Sequence, residues 1–99
     1  MSVVTVSETA SALPRAWSST VLARVGTASV RVLRMDARPV EEERHSEAEV
    51  LLVLDGRLEL SVEGREVTVG PGGMYVVGAG AAHAVRPGSR GTLVIVDRD

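Results

Sequence analysis

Residues 40–56 read VEEERHSEAEVLLVLDG, and the fold turns on whether their first half is helix or strand. Composition alone favours helix: Pro39 precedes a run of charged helix formers, and His45 and Glu49 stand at i, i+4. The second half, Val50 to Leu54, is a continuous apolar run of strand length. It ends at Asp55–Gly56, a dipeptide that signals a hairpin between apolar runs. The flanking sequence decides the matter. RLELSVEG (57–64) alternates, with Leu58, Leu60 and Val62 on one face and Glu59, Ser61 and Glu63 on the other. A second hairpin turn at Glu63–Gly64 leads into REVTVG; GPGG (70–73) is a loop, MYVV (74–77) a strand and GAGAAH (78–83) a Gly/Ala turn. HAVRP and TLVIVD read as two last strands parted by GSRG. Upstream, SSTVLARV and ASVRVLRMD (28–36) are two strands joined at Gly26–Thr27. VVTV (3–6) reads as a short strand and SETASAL (7–13) as one helical turn capped by Ser7. Eight or more short strands bounded by Gly or Pro mean an all-β sandwich or barrel. In that setting residues 41–49 become a strand end followed by a loop. On a strand Glu41, Glu43 and His45 share one face, and Glu42 and Arg44 take the other. The carboxylates and the histidine then converge on the inside of a barrel.

The bulk properties narrow the function classes. A chain of 99 residues is expected to be one domain, 1–99, with a modest core that oligomerisation would help. With no cysteine there is no disulfide framework and no thiolate chemistry. Net charge is −2 and no basic block occurs, so the electrostatic footprint of nucleic-acid binding is missing. No apolar run approaches the roughly 20 residues of a membrane span. The N-terminus MSVVTVSETA lacks a positive n-region and a long h-region, so no signal peptide and a cytoplasmic location are expected. All 11 basic residues are arginine, and Lys, Asn, Gln and Phe are absent. That usage fits a high-GC bacterial genome, so the missing phenylalanines carry no functional weight.

The motifs resemble those of the small cupins, whose first motif is G-x5-H-x-H-x3/4-E-x6-G and whose second is G-x5-P-x-G-x2-H-x3-N. His45-x3-Glu49-x6-Gly56 fits the second histidine, the glutamate and the glycine of the first motif. Gly72-x5-Gly78-x-Gly80-x2-His83 fits the second motif with Gly78 in place of proline. EVLLVLDGRLEL and VGPGGMYVV are similar to the strands around these motifs, and the resemblance spans about residues 20–96, behind a lead-in of 1–19. Three positions depart: Glu43 stands for the first histidine, Gly78 for the turn proline and Pro87 for the closing asparagine. The resemblance implies a single jelly-roll β-barrel, with a short helical turn near the N-terminus, and a homodimer for which edge strands at the N-terminus offer the means. It also implies a divalent metal in the barrel mouth (Fe, Mn, Ni, Cu or Zn), held by His45, Glu49 and His83 with Glu43 as a fourth ligand. Two carboxylates would neutralise the ion and weaken its Lewis acidity.

Three functions of different class follow. One is a metal-dependent enzyme (oxygenase, isomerase, decarboxylase or cyclase) in which Glu43 ligates or acts as general base. Another is a metal-free acid/base enzyme using His45 or His83, helped by Tyr75 or Glu43. The third is a non-catalytic binding or sensor module. Tyr75, on a strand leading to His83, is a candidate donor or acid if it faces the pocket. Leu51, Val53, Leu58, Leu60 and Val85 are the expected pocket walls, which favours a small, moderately apolar ligand. Glu41, Glu42, Arg31 and Arg34 are expected at the surface, either arginine meeting an acidic substrate only if it turns inward. Trp17 is expected in the core or an interface.

Overall fold

The computed structural model describes residues 2–98. Helix α1, Val6–Ala12, is followed by eight strands: β1 Thr20–Val25, β2 Ala28–Asp36, β3 Val40–Glu43, β4 Glu49–Val62, β5 Arg65–Val69, β6 Met74–Val77, β7 His83–Val85 and β8 Arg90–Arg98. All pairings are antiparallel. One sheet runs β1-β2-β8-β4-β6 and the other β3-β7-β4-β5, so β4 belongs to both and the two close face to face as a jelly roll. Between them Leu33, Met35, Leu51, Val53, Leu58, Leu60, Leu93 and Ile95 form the buried core. Each lies on the inward phase of its strand.

The segment that decided the reading is strand, then loop. β3 ends at Glu43, residues 44–48 form an exposed connection, and β4 begins at Glu49. The turns expected at Gly26–Thr27 and Glu63–Gly64 are both present. At the second, Glu63 (φ 48°) and Gly64 (φ 78°) both take the left-handed conformation that a two-residue hairpin needs.

Two local expectations are corrected. VVTV is not a strand: Thr5 is the N-cap of α1 and Val6 opens the helix, with Ser7 inside it. Val6 and Ala10, one turn apart, both pack on the outer side of the first sheet, and that contact overrides the valines' strand preference. Asp55–Gly56 is not a hairpin either, because β4 continues through it for 14 residues. The register with β8 shifts between Val53 and Asp55, and the Asp55 carboxylate accepts a hydrogen bond from the Thr92 amide at 3.0 Å. Gly56 (φ 77°) faces Gly91 (φ 101°) where β4 bends from one sheet into the other. A Cβ on Gly56 would lie 1.9 Å from the Arg90 carbonyl oxygen. The positive φ read as a turn serves a bulge and a close backbone approach.

Candidate metal centre

Three elements bring the motif residues together. His83 opens β7 and is the register partner of Glu43 on β3 and of Val62 on β4. A reciprocal pair of hydrogen bonds anchors the residue before it: Ala82 N–H donates to the Glu63 carboxylate, and Glu63 N–H donates to the Ala82 carbonyl, both at 2.9 Å. His45 lies in the 44–48 connection, which is tied to the loop before β7. Gly80 N–H donates to the His45 carbonyl at 2.7 Å, and Arg44 Nη1 donates to the Gly80 carbonyl at 3.1 Å. Thus the loops of the two motifs hold each other, and the departure at Gly78 sits in a turn closed by Ala81 N–H donating to the Gly78 carbonyl.

The side chains converge. Glu43, His45 and His83 each place a potential ligand atom within 4.8 Å of the others. Glu49 is shared by the two histidines, with His83 Nε2 3.4 Å from one oxygen and His45 Nε2 3.9 Å from the other. Glu43 lies 3.2 Å from His45 Nε2. The imidazole centroids are 5.1 Å apart. Glu49 and His83 are buried, 8% and 6% exposed, whereas Glu43 and His45 open to solvent.

The donor chemistry fits a divalent transition ion. His83 Nδ1 is 3.0 Å from the Ala81 carbonyl oxygen, so it carries the hydrogen and leaves the Nε2 lone pair directed at the cluster. Two imidazoles and two carboxylates suit a borderline ion. Burial holds the Glu49 carboxyl above the ordinary carboxylate range; Asp97 adds to the rise, while His45 and His83 oppose it.

The cluster forms one side of a cavity of about 310 Å³. Leu51, Leu58, Leu60 and Val85 line it as expected, joined by Leu33, Val40, Leu93 and Ile95. Val53 does not line it: this residue is wholly buried in the core. Tyr75 is also outside the lining, half-buried against the core on β6. The opposite wall carries Arg31, whose guanidinium donates to Ser19 Oγ at 3.0 Å and to the Asp97 carboxylate at 2.7 Å. Arg31 therefore turns inward, but its charge is met within the protein. Asp97 had no part in the sequence reading, although its phase was readable: it follows the inward Leu93 and Ile95 by the same step of two. Arg34 points the other way and donates to the Ala10 and Leu13 carbonyls at the end of α1. Trp17 packs on the core, lines the cavity and donates through Nε1 to Asp36 at 2.6 Å. Glu41 is exposed and also contributes to the lining.

A jelly roll with an aliphatic pocket and a two-histidine, two-carboxylate cluster at one side defines a small-molecule-binding β-barrel. The family model of the cupin domain matches residues 32–97, and the chain belongs to that family. Its fold is similar to that of a cupin-2 domain containing protein from Shewanella frigidimarina (20% identity, TM-score 0.89, covering 98% of this chain and 95% of that one). It is similar also to protein NMB1881 from Neisseria meningitidis (17%, TM-score 0.84, 99% and 100%). DMSP lyase DddQ from Ruegeria pomeroyi shares 25% identity at a TM-score of 0.65 over 74% of this chain and 39% of that one. No curated protein matches the chain. Among the described residues, no helix is long and apolar enough to cross a membrane.

Proposed function

We propose that this cupin holds a divalent transition metal through His45, Glu49 and His83, with Glu43 as fourth ligand, and acts on a small, moderately apolar molecule in the adjoining cavity. The observation that carries the reading is the convergence of the Glu43, His45 and His83 donor atoms within 4.8 Å. A bound ion of this kind supplies Lewis acidity and open coordination positions. The aliphatic walls exclude water from the substrate's apolar part, and the exposed Glu43 carboxylate, if it does not ligate, is the group at the pocket's open side that would take a proton. The similarity to a lyase supports a catalytic role over a purely sensory one, and the cysteine-free chain suits a cytoplasmic setting. Elemental analysis of untagged protein tests the reading: near-stoichiometric metal is expected. Metal at trace level, unrestored by titration, would hand the site to acid/base chemistry by the Glu43–His45 pair.

Glu43 separates this centre from one with three histidines. Glu43→Ala should weaken metal binding about 10-fold or more. Glu43→His should move preference toward late, softer ions such as Ni, Cu or Zn. Isothermal titration calorimetry of wild type and both variants checks this. Three superimposable isotherms would leave Glu43 a rim charge; intact binding with lost turnover would make it a base. Affinity for every form should fall on acidification, because protons compete with the metal for imidazole, which ligates only when neutral.

The buried carboxylate yields a second expectation. Because the folded-state value of Glu49 is raised, the stability linked to its protonation is present below the unfolded carboxyl's range and lost as pH rises through the folded value. Once ionised, metal-free Glu49 therefore costs the fold stability relative to its protonated form. Glu49→Gln should raise the melting temperature of metal-free protein at pH 7 and lose that advantage below about pH 4. A gain of about 1 kcal/mol would appear as 4–8 °C. A lower midpoint at pH 7 would show that the two histidines' attraction outweighs burial.

A further inference from the structure

Trp17 is the chain's single tryptophan, and it lines the cavity without belonging to the metal-ligating cluster. Its backbone is left-handed, φ 64°, a conformation disfavoured for a bulky aromatic residue. Two hydrogen bonds hold it there. Trp17 N–H donates to the Arg34 carbonyl at 2.8 Å, and the indole Nε1–H donates to the Asp36 carboxylate at 2.6 Å. Both acceptors lie on β2, so the ring is fixed before any ligand arrives. Packing on the core alone would need neither the strained backbone nor the indole N–H. Strain kept in place by its surroundings clusters at ligand sites. The charges of the lining are also uneven, with Glu41, Glu43, Glu49 and Asp97 against one guanidinium, that of Arg31. Asp97 answers Arg31 at 2.7 Å, and Glu43 and Glu49 are the charges that balance a divalent ion in the proposed centre. Glu41 is left over. Among the described residues its carboxylate makes no hydrogen bond or ion pair. Only residues 37–39 separate Asp36, which anchors the indole, from β3, which carries Glu41, so both stand beside the β2–β3 connection.

We infer that the cavity takes a small organic cation of the alkylammonium class, its apolar body against the aliphatic walls and its charged head served by the Trp17 ring and the Glu41 carboxylate. Of all aromatic rings, indole attracts a cation most strongly through its quadrupole. An alkylammonium head carries its charge under a shell of alkyl groups, which lose water favourably against Leu and Val. An anion would instead meet the unmatched carboxylate and be repelled. Trp17 and Glu41 are thus specificity-determining residues, and Asp36 and Arg34 position the ring. The inference rests on the proposed role of the cavity as the substrate pocket, and it uses none of the metal ligands.

Tryptophan-selective fluorescence tests the inference directly, because Trp17 is the only indole in the chain. The probes are choline, the alcohol that carries a tert-butyl group in place of choline's trimethylammonium head, and tert-butylacetate as an anion of similar size. Choline should shift Trp17 emission saturably and bind about 10-fold more tightly than the neutral alcohol, with tert-butylacetate weakest. Glu41→Gln, at an exposed position, should weaken choline about 2- to 5-fold and leave the alcohol unchanged. Trp17→Leu, read by calorimetry, should remove most of choline's advantage over the alcohol. The order of the three probes should be the same in metal-free and zinc-loaded protein. An alcohol that binds as tightly as choline, or a preference for tert-butylacetate, would overturn the inference while leaving the cavity a ligand pocket. No saturable response to any probe, by fluorescence or calorimetry, would overturn both, and metal content measured separately still judges the metal centre.

Discussion

His83→Ala is expected to reduce metal binding by at least about 100-fold, beyond the 10- to 100-fold that losing an outer-shell partner costs. His83 is the buried imidazole of the cluster and its Nδ1–H is fixed by the Ala81 carbonyl, so its Nε2 is the most preorganised donor in the site. The substitution also leaves the buried Glu49 carboxylate without its nearer imidazole, 3.4 Å away. His45, in an exposed loop, cannot replace it. Calorimetric titration together with elemental analysis reads the effect, and circular dichroism checks that the barrel survives. Wild-type stoichiometry and affinity in this variant would mean that the metal binds elsewhere. The His45→Ala loss should be smaller, since that side chain is already half in solvent and less rigidly held.

Gly56→Ala is expected to destabilise the fold by more than about 4 kcal/mol, a large share of the 5–15 kcal/mol typical of a whole domain. Two effects combine. The backbone at Gly56 has φ 77°, which costs a residue with a side chain about 1–3 kcal/mol. Its Cβ would also overlap the Arg90 carbonyl at 1.9 Å, and that obstacle is backbone, paired with β4 across the bend. Gly64→Ala separates the two effects: the φ is nearly the same, 78°, but nothing lies within 4 Å of the added Cβ. That variant should lose only the conformational part, about 1–3 kcal/mol. Chemical denaturation of both variants makes the comparison. Equal losses would mean that the bend yields and the close approach of β4 to β8 contributes little.

These two glycines also show where sequence reading stops. Glu63–Gly64 was legible as a turn because the strands it joins lie next to it in the chain and alternate cleanly. Asp55–Gly56 has the same local signature, yet its partner Gly91 lies far along the sequence. Whether a positive φ closes a hairpin or bends a strand depends on what stands opposite. The spacing of His45, Glu49 and His83 could be matched to a motif because each sits at a fixed step from a glycine, and the fold brings them together. The helical look of residues 41–49 gave way to the strand pattern around it, as the continuous β3–loop–β4 path bears out.

Local chemistry thus determined the strands, most of the turns and the residue types that converge at the barrel mouth, because periodicity and backbone preference act over a few neighbours. Tertiary structure alone decided the rest. Arg31 faces the cavity and meets Asp97, two residues 66 positions apart whose contact exists only because β2 pairs with β8. Tyr75 lies outside the cavity lining because β6 packs against the core on the flank of β4. The run Val50–Leu54 was legible as a strand, but which of its faces would wall the pocket was set by the closing of one sheet over the other.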